Sequence, residues 1–131
     1  METVLGAVRD PTELERMIVL AQAGRASSFD VLTTFASTPV VVPSGTVVTD
    51  NLSQLQPLLF DRDGITMVAI FTHLDEIADF AELARYTLTT LGRNLLISLP
   101  PTAGIVVNPS RSIGFDVLPD GIGAFLRDSR E

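Results

Sequence analysis

Cysteine is absent from this chain of 131 residues. That removes disulfides, thiolate nucleophiles and zinc–thiolate sites together. Lysine is absent too. All nine basic residues are arginines, scattered as Arg9, Arg16, Arg25, Arg62, Arg85, Arg93, Arg111, Arg127 and Arg130. Nucleic-acid binding needs clustered cations to follow a phosphate track. A chain of net charge −7 with dispersed arginines offers no such cluster, so no nucleic-acid partner is expected. An anionic membrane surface is disfavoured for the same reason. No apolar run approaches the ~20 residues that span a bilayer. The opening Met1-Glu2-Thr3 lacks the basic-then-apolar pattern of a secretory leader. The expectation is a cytoplasmic protein without membrane contact.

Histidine occurs once, as His73. One histidine excludes a two-histidine metal site and leaves a single arithmetic route to a Ser-His-acid triad. No Gly-x-Ser-x-Gly elbow supplies the nucleophile for it. The phosphate-cradling loops, Gly-x-Gly-x-x-Gly after a strand and Gly-Lys-Ser/Thr, are missing as well. Asp61-Arg62-Asp63-Gly64 opens like a calcium loop, but the sixth and twelfth positions hold Thr66 and Thr72 where Gly and Glu are required. A hairpin turn explains it. Asp75, Asp79 and Glu82 share one face of a helix, and such a face ordinarily points to water. No cofactor, metal or catalytic residue is therefore expected.

What is present is core material: 46% hydrophobic residues against 19% charged. The length suits one domain over residues 1–131. Asp10-Pro11-Thr12-Glu13 reads as a helix start with Asp10 as cap, and Leu14, Met17, Ile18 and Ala21 follow at helical spacing until Gly24. Ser27-Ser28-Phe29-Asp30 starts a second helix with Phe29, Leu32 and Phe35 inward, so the two should form a hairpin. Val40-Val41-Val42 is a buried strand that Pro43-Ser44-Gly45 breaks. Residues 46–54 could be a short strand or a loop. Leu55 to Phe60 and Ile65 to Phe71 form a hairpin through Asp-Gly, with Pro57 pushing the first strand to an edge or a late start. Thr72-His73-Leu74-Asp75 opens a third helix. Arg85 to Leu91 fits strand or helix. A short helix over Arg93 to Leu99, strands over Gly104–Val107 and Ile113–Val117, and a final helix from Pro119 complete the order. The fold class expected is α/β of the α+β type: a mixed, largely antiparallel sheet of about five strands, with an N-terminal helical hairpin and further helices packed on it.

Three segments in this order carry a family resemblance. They are Val40-Val41-Val42-Pro43, Ala69-Ile70-Phe71-Thr72 after the Asp-Gly turn, and Gly104-Ile105-Val106-Val107-Asn108-Pro109-Ser110. Together they resemble the amino-terminal domain of the SseB family, named for enhanced serine sensitivity, from about Ser28 to Arg127. The resemblance implies a small bacterial α/β domain with no established catalytic residues, in proteins some of which are linked to secretion or to toxin–immunity systems. It also implies a second, C-terminal domain in many members.

The leading expectation is a non-enzymatic protein-binding or adaptor module. Its contact surface would include Thr72 and His73 and the turn of Asn108, Ser110 and Arg111, should the sheet bring those strand ends together. One alternative is a small-molecule sensor or weak hydrolase using His73 with Ser110 or an acidic neighbour. Another is an immunity-type protein whose acidic surface neutralises a basic toxin. The Val-rich stretch from Val40 to Val48 could leave a sheet edge for a second copy, so a homodimer is also allowed.

Overall fold

The computed structural model describes residues 11–48, 55–73, 77, 85–109 and 112–128. These form four helices and six strands: α1 (Glu13–Gln22), α2 (Ser28–Ala36), β1 (Pro39–Ser44), β2 (Leu59–Arg62), β3 (Ile65–Ile70), β4 (Tyr86–Leu91), α3 (Gly92–Ser98), β5 (Ala103–Val107), β6 (Phe115–Val117) and α4 (Pro119–Asp128). The fold is α+β, with strands in two sheets. One has the order β2-β3-β5-β6 and the other pairs β1 with β4. Among these described strands only β3 and β5 run parallel; the other ladders are antiparallel. Two hydrogen bonds between the backbones of Val41 and Phe71, of 2.8 and 2.9 Å, join the two sheets.

Side chains alternate across a strand, and this alternation sorts the core into two clusters. Val40, Val42, Val68, Ile70, Ile105, Val107 and Val117 face one side, where Leu14 and Ile18 of α1, Leu32 and Phe35 of α2, Leu95 and Leu96 of α3, and Ile122 and Phe125 of α4 close over them. Val41, Met67, Ala69, Phe71 and Val106 face the other side and pack with Ile77. Strand β5 is buried on both faces along its whole length. That is why it reads as an unbroken apolar run. Gly104, within it, sits where a Cβ would lie 2.5 Å from the Val117 carbonyl oxygen, so only glycine permits the β5–β6 approach.

Several expectations need correction. The cap of α1 is Thr12, not Asp10: its hydroxyl accepts from the Glu15 N–H, and the Glu15 carboxylate accepts from the Thr12 N–H. The two bonds satisfy donors that the first helical turn leaves open, and Pro11 stays outside the helix. Asp10 itself lies outside the described residues. Phe29 is 46% exposed, because its ring leans on Phe125 at a centroid distance of 5.3 Å instead of entering the core.

Pro43 and Ser44 do not end β1; the strand continues through both. The Val41 N–H points to Phe71, so Pro39 and Pro43, with the same alternation, turn their missing N–H groups to that side and leave the β4 ladder intact. Val41 thus has neighbours on both sides, and among the described residues β4 pairs only with β1.

Strand β2 starts at Leu59, later than Leu55, with Asp61 and Arg62 still in the ladder. The turn is Asp63-Gly64, both at positive φ (55° and 87°), as a two-residue hairpin with right-handed strand twist demands. Residues 86–91 are strand and 113–114 are not. Residues 49–54 and nearly all of the expected third helix, including Asp75, Asp79 and Glu82, lie outside the described residues. Thr72 and His73 form a bend.

Candidate functional site

Because β3 and β5 are adjacent and parallel, pairing Ile70 with Val107, their C-terminal ends meet. Phe71 and Thr72 leave one strand, and Asn108 leaves the other. Asn108 adopts φ 53°, the left-handed region where Asn is tolerated better than most residues. That conformation turns the chain immediately and swings the Asn side chain back over the strand ends.

The result is a buried polar cluster. The Thr72 hydroxyl donates to Glu15 Oε2 at 2.5 Å, and its N–H donates to Asn108 Oδ1 at 3.0 Å. Asn108 Nδ2 donates to Thr72 Oγ1 at 3.0 Å and to the Ile113 carbonyl at 2.9 Å. The Asn108 N–H continues the ladder to the Ile70 carbonyl at 2.8 Å. Glu15 is 4% exposed, Thr72 6% and Asn108 2%. A buried carboxylate is costly unless it is hydrogen-bonded. Here one oxygen takes the Thr12 N–H and the other the Thr72 hydroxyl, at the N-terminus of α1 where the helix dipole favours negative charge. Three separated segments, α1, the β3 exit and the β5 exit, are thereby tied at one point.

Of the residues the sequence nominated, Thr72 and Asn108 are brought together, but inside the protein and bonded to each other. His73 is half-buried at the bend. Ser110 and Arg111 lie outside the described residues. Glu15 was not nominated, although Thr12-x-x-Glu15 carries the capping-box pattern that would have placed its carboxylate.

Beside the cluster an open cleft of about 520 Å³ is lined by Gln22, Arg62, Asn108, Pro109, Phe115 and Asp116 among others. Gln22 Nε2 donates to the carbonyls of Ser112 and Gly114, at 2.9 and 3.2 Å, and so ties α1 to the loop before β6. Arg62 and Asp116 form an ion pair across the sheet. No group of three or more potential metal ligands occurs among the described residues, and no helix there is long and apolar enough to cross a membrane.

The family model for the SseB protein N-terminal domain matches residues 14–124. The chain belongs to the SseB N-terminal domain family. The match begins ahead of Ser28, so α1 and its Glu15 belong to the family domain along with the sheet. No curated protein and no solved structure matches the chain.

Proposed function

We propose that this SseB-type domain is a non-enzymatic protein-binding module, presenting the loops after β3 and β5 to a partner. The observation that carries this reading is the Glu15–Thr72–Asn108 cluster. The polar groups best able to do chemistry at the strand ends are spent on one another, away from solvent. What they accomplish is to fix the roots of two loops, and loops held by a rigid scaffold bind with less ordering cost. The net charge of −7 favours a basic partner, the immunity-type form of the same reading.

The test uses the tagged full chain as bait in lysate of the source organism, at low and high salt, beside a His73→Ala, Arg111→Ala variant. One protein enriched by the wild type and lost by the variant, at unchanged melting temperature, is the expected result. Retention of that protein by the variant would remove the loop surface from consideration. Steep loss with salt would mark a charged contact.

The cleft of about 520 Å³ favours a second reading, a small-molecule sensor. His73 is not among the residues lining it, so a hydrolase centred on His73 gains no support there. A rise in melting temperature with one member of a metabolite panel, and no captured protein, would select this reading.

A further inference from the structure

A groove separate from the loop end runs between α2 and α4. It encloses about 460 Å³ and is lined by Phe29 and Leu32 of α2, by Leu118, and by Gly121, Ala124 and Phe125 of α4. Gly121, Ala124, Phe125 and Asp128 stand at helical spacing on one face of α4. The two small residues in that row leave the hollow, and the mutually tilted rings of Phe29 and Phe125 form one wall. That wall is shared with a second hollow of about 430 Å³ on the other side of Phe29, toward Arg93. Phe29 is 46% exposed and Leu118 49%, a cost in water that the fold leaves standing.

Among the described residues the charge at the rim is of one sign. Asp116, Asp120 and Asp128 all line the groove, and no described basic residue does. Asp116 is paired with Arg62. Asp120 and Asp128 have no ion-pair partner among the described residues. An apolar trough with unneutralised carboxylates at its margin repels an anionic lipid surface, nucleic acid and a second copy of this acidic chain. It complements an apolar segment with cationic flanks.

We propose that the α2/α4 groove is a docking site for an amphipathic helical segment of another protein, whose apolar side chains enter beside Phe29 and Gly121 and whose Lys or Arg residues meet Asp120 and Asp128. The docking mode is helix-in-groove, with anchors at i, i+3 or i+4. This inference rests on the groove alone and stands or falls apart from the loop-end surface.

The probe is a short synthetic amphipathic peptide with Leu at helical spacing and Lys at the flanks, titrated into the full chain and followed by amide NMR shifts. A control peptide carries Glu in place of Lys. The expected result is saturable shifts centred on Phe29, Leu118, Gly121, Ala124 and Phe125, with the Glu peptide weaker by about tenfold or more. The Asp120→Asn, Asp128→Asn variant should lose a similar factor at unchanged melting temperature, and Ala124→Trp should fill the hollow and abolish the shifts. Equal affinity for both peptides, shifts centred elsewhere, or no saturable binding would overturn the proposal. So would concentration-dependent dimerisation that Ala124→Trp abolishes, which would assign the groove to a second copy.

Discussion

The two faces of the β2-β3-β5-β6 sheet are made from the same strands on different terms. One face receives all four described helices, which bring Phe35, Ile70, Leu95 and Ile105 to zero exposure and leave only flanking residues such as Phe115 and Leu126 partly covered. The other buries Met67, Ala69, Phe71 and Val106 at its centre, but toward its margin Phe60 and Ile65 are only partly covered. There Arg62 reaches from one edge strand to Asp116 on the opposite one. Alternation supplies both faces with apolar side chains. Coverage decides which of them holds the protein together, because burial stabilises by area removed from water.

The sharpest test of that difference is a pair of phenylalanines. Phe35→Ala should cost about 3–5 kcal/mol in a denaturant titration, a large share of the ~5–15 kcal/mol typical of a whole domain. Phe35 also abuts Gly92, where an added Cβ would lie 2.0 Å from the Phe35 carbonyl oxygen, so the surroundings cannot collapse freely into the void. Phe60→Ala on the second face should cost about 1 kcal/mol, in line with partial burial. Equal costs would mean that the second face is as well sealed as the first, and the comparison would fail.

The polar cluster belongs to neither face; it sits at the ends of the strands that both faces share. Thr72→Val preserves shape but removes the hydroxyl. Glu15 Oε2 then loses the Thr72 donor, and Asn108 Nδ2 loses one of its two acceptors. Removing hydrogen-bond partners from buried polar groups costs about 1–3 kcal/mol, and Thr72→Ser should recover most of the loss. The change should also raise hydrogen exchange at Asn108 more than at Val106, since it loosens the strand exits before the ladder. Exchange altered uniformly along β5 would show that Thr72 supports the core and not the loop roots.

Much of this architecture was legible in the sequence because local chemistry specified it. Ser27-x-x-Asp30, Asp63-Gly64, Gly24 and Pro119 each punctuate the chain through their own backbone preferences, and each acts where expected. The apolar run Gly104–Val107 announced a buried strand, which the structure starts one residue earlier, at Ala103. Pro43 misled, because a proline disrupts a strand only on the side to which its N–H would point, and that side depends on which neighbour lies there. Asp10 misled because two overlapping cap patterns compete, and a contact with Thr72, fifty-seven residues beyond Glu15, favours the later one. Thr72 and Asn108 were singled out as strand-end residues that could meet a partner. Whether such side chains point out or in depends on the φ of Asn108 and on where α1 lies, and neither is written in the local sequence. The α2/α4 groove was hidden for a related reason: Phe29 has the spacing of a core residue, and only the position of Phe125 draws it to the surface.

The smallest expected effect concerns the ion pair on the second face. Arg62 and Asp116 keep 50% and 33% of their side-chain surface exposed. Water and salt therefore screen their attraction, and holding a long arginine in place costs rotamer entropy. Asp116→Asn should shift stability by about 0–1 kcal/mol, and a double-mutant cycle with Arg62→Gln should give a coupling in the same range that shrinks as salt is added. A coupling well above that range, insensitive to salt, would mean that the pair is desolvated when the protein is in solution. The second face would then be sealed by charge where the first is sealed by helices, and Arg62 would lock the cleft beside Asn108 instead of lining it.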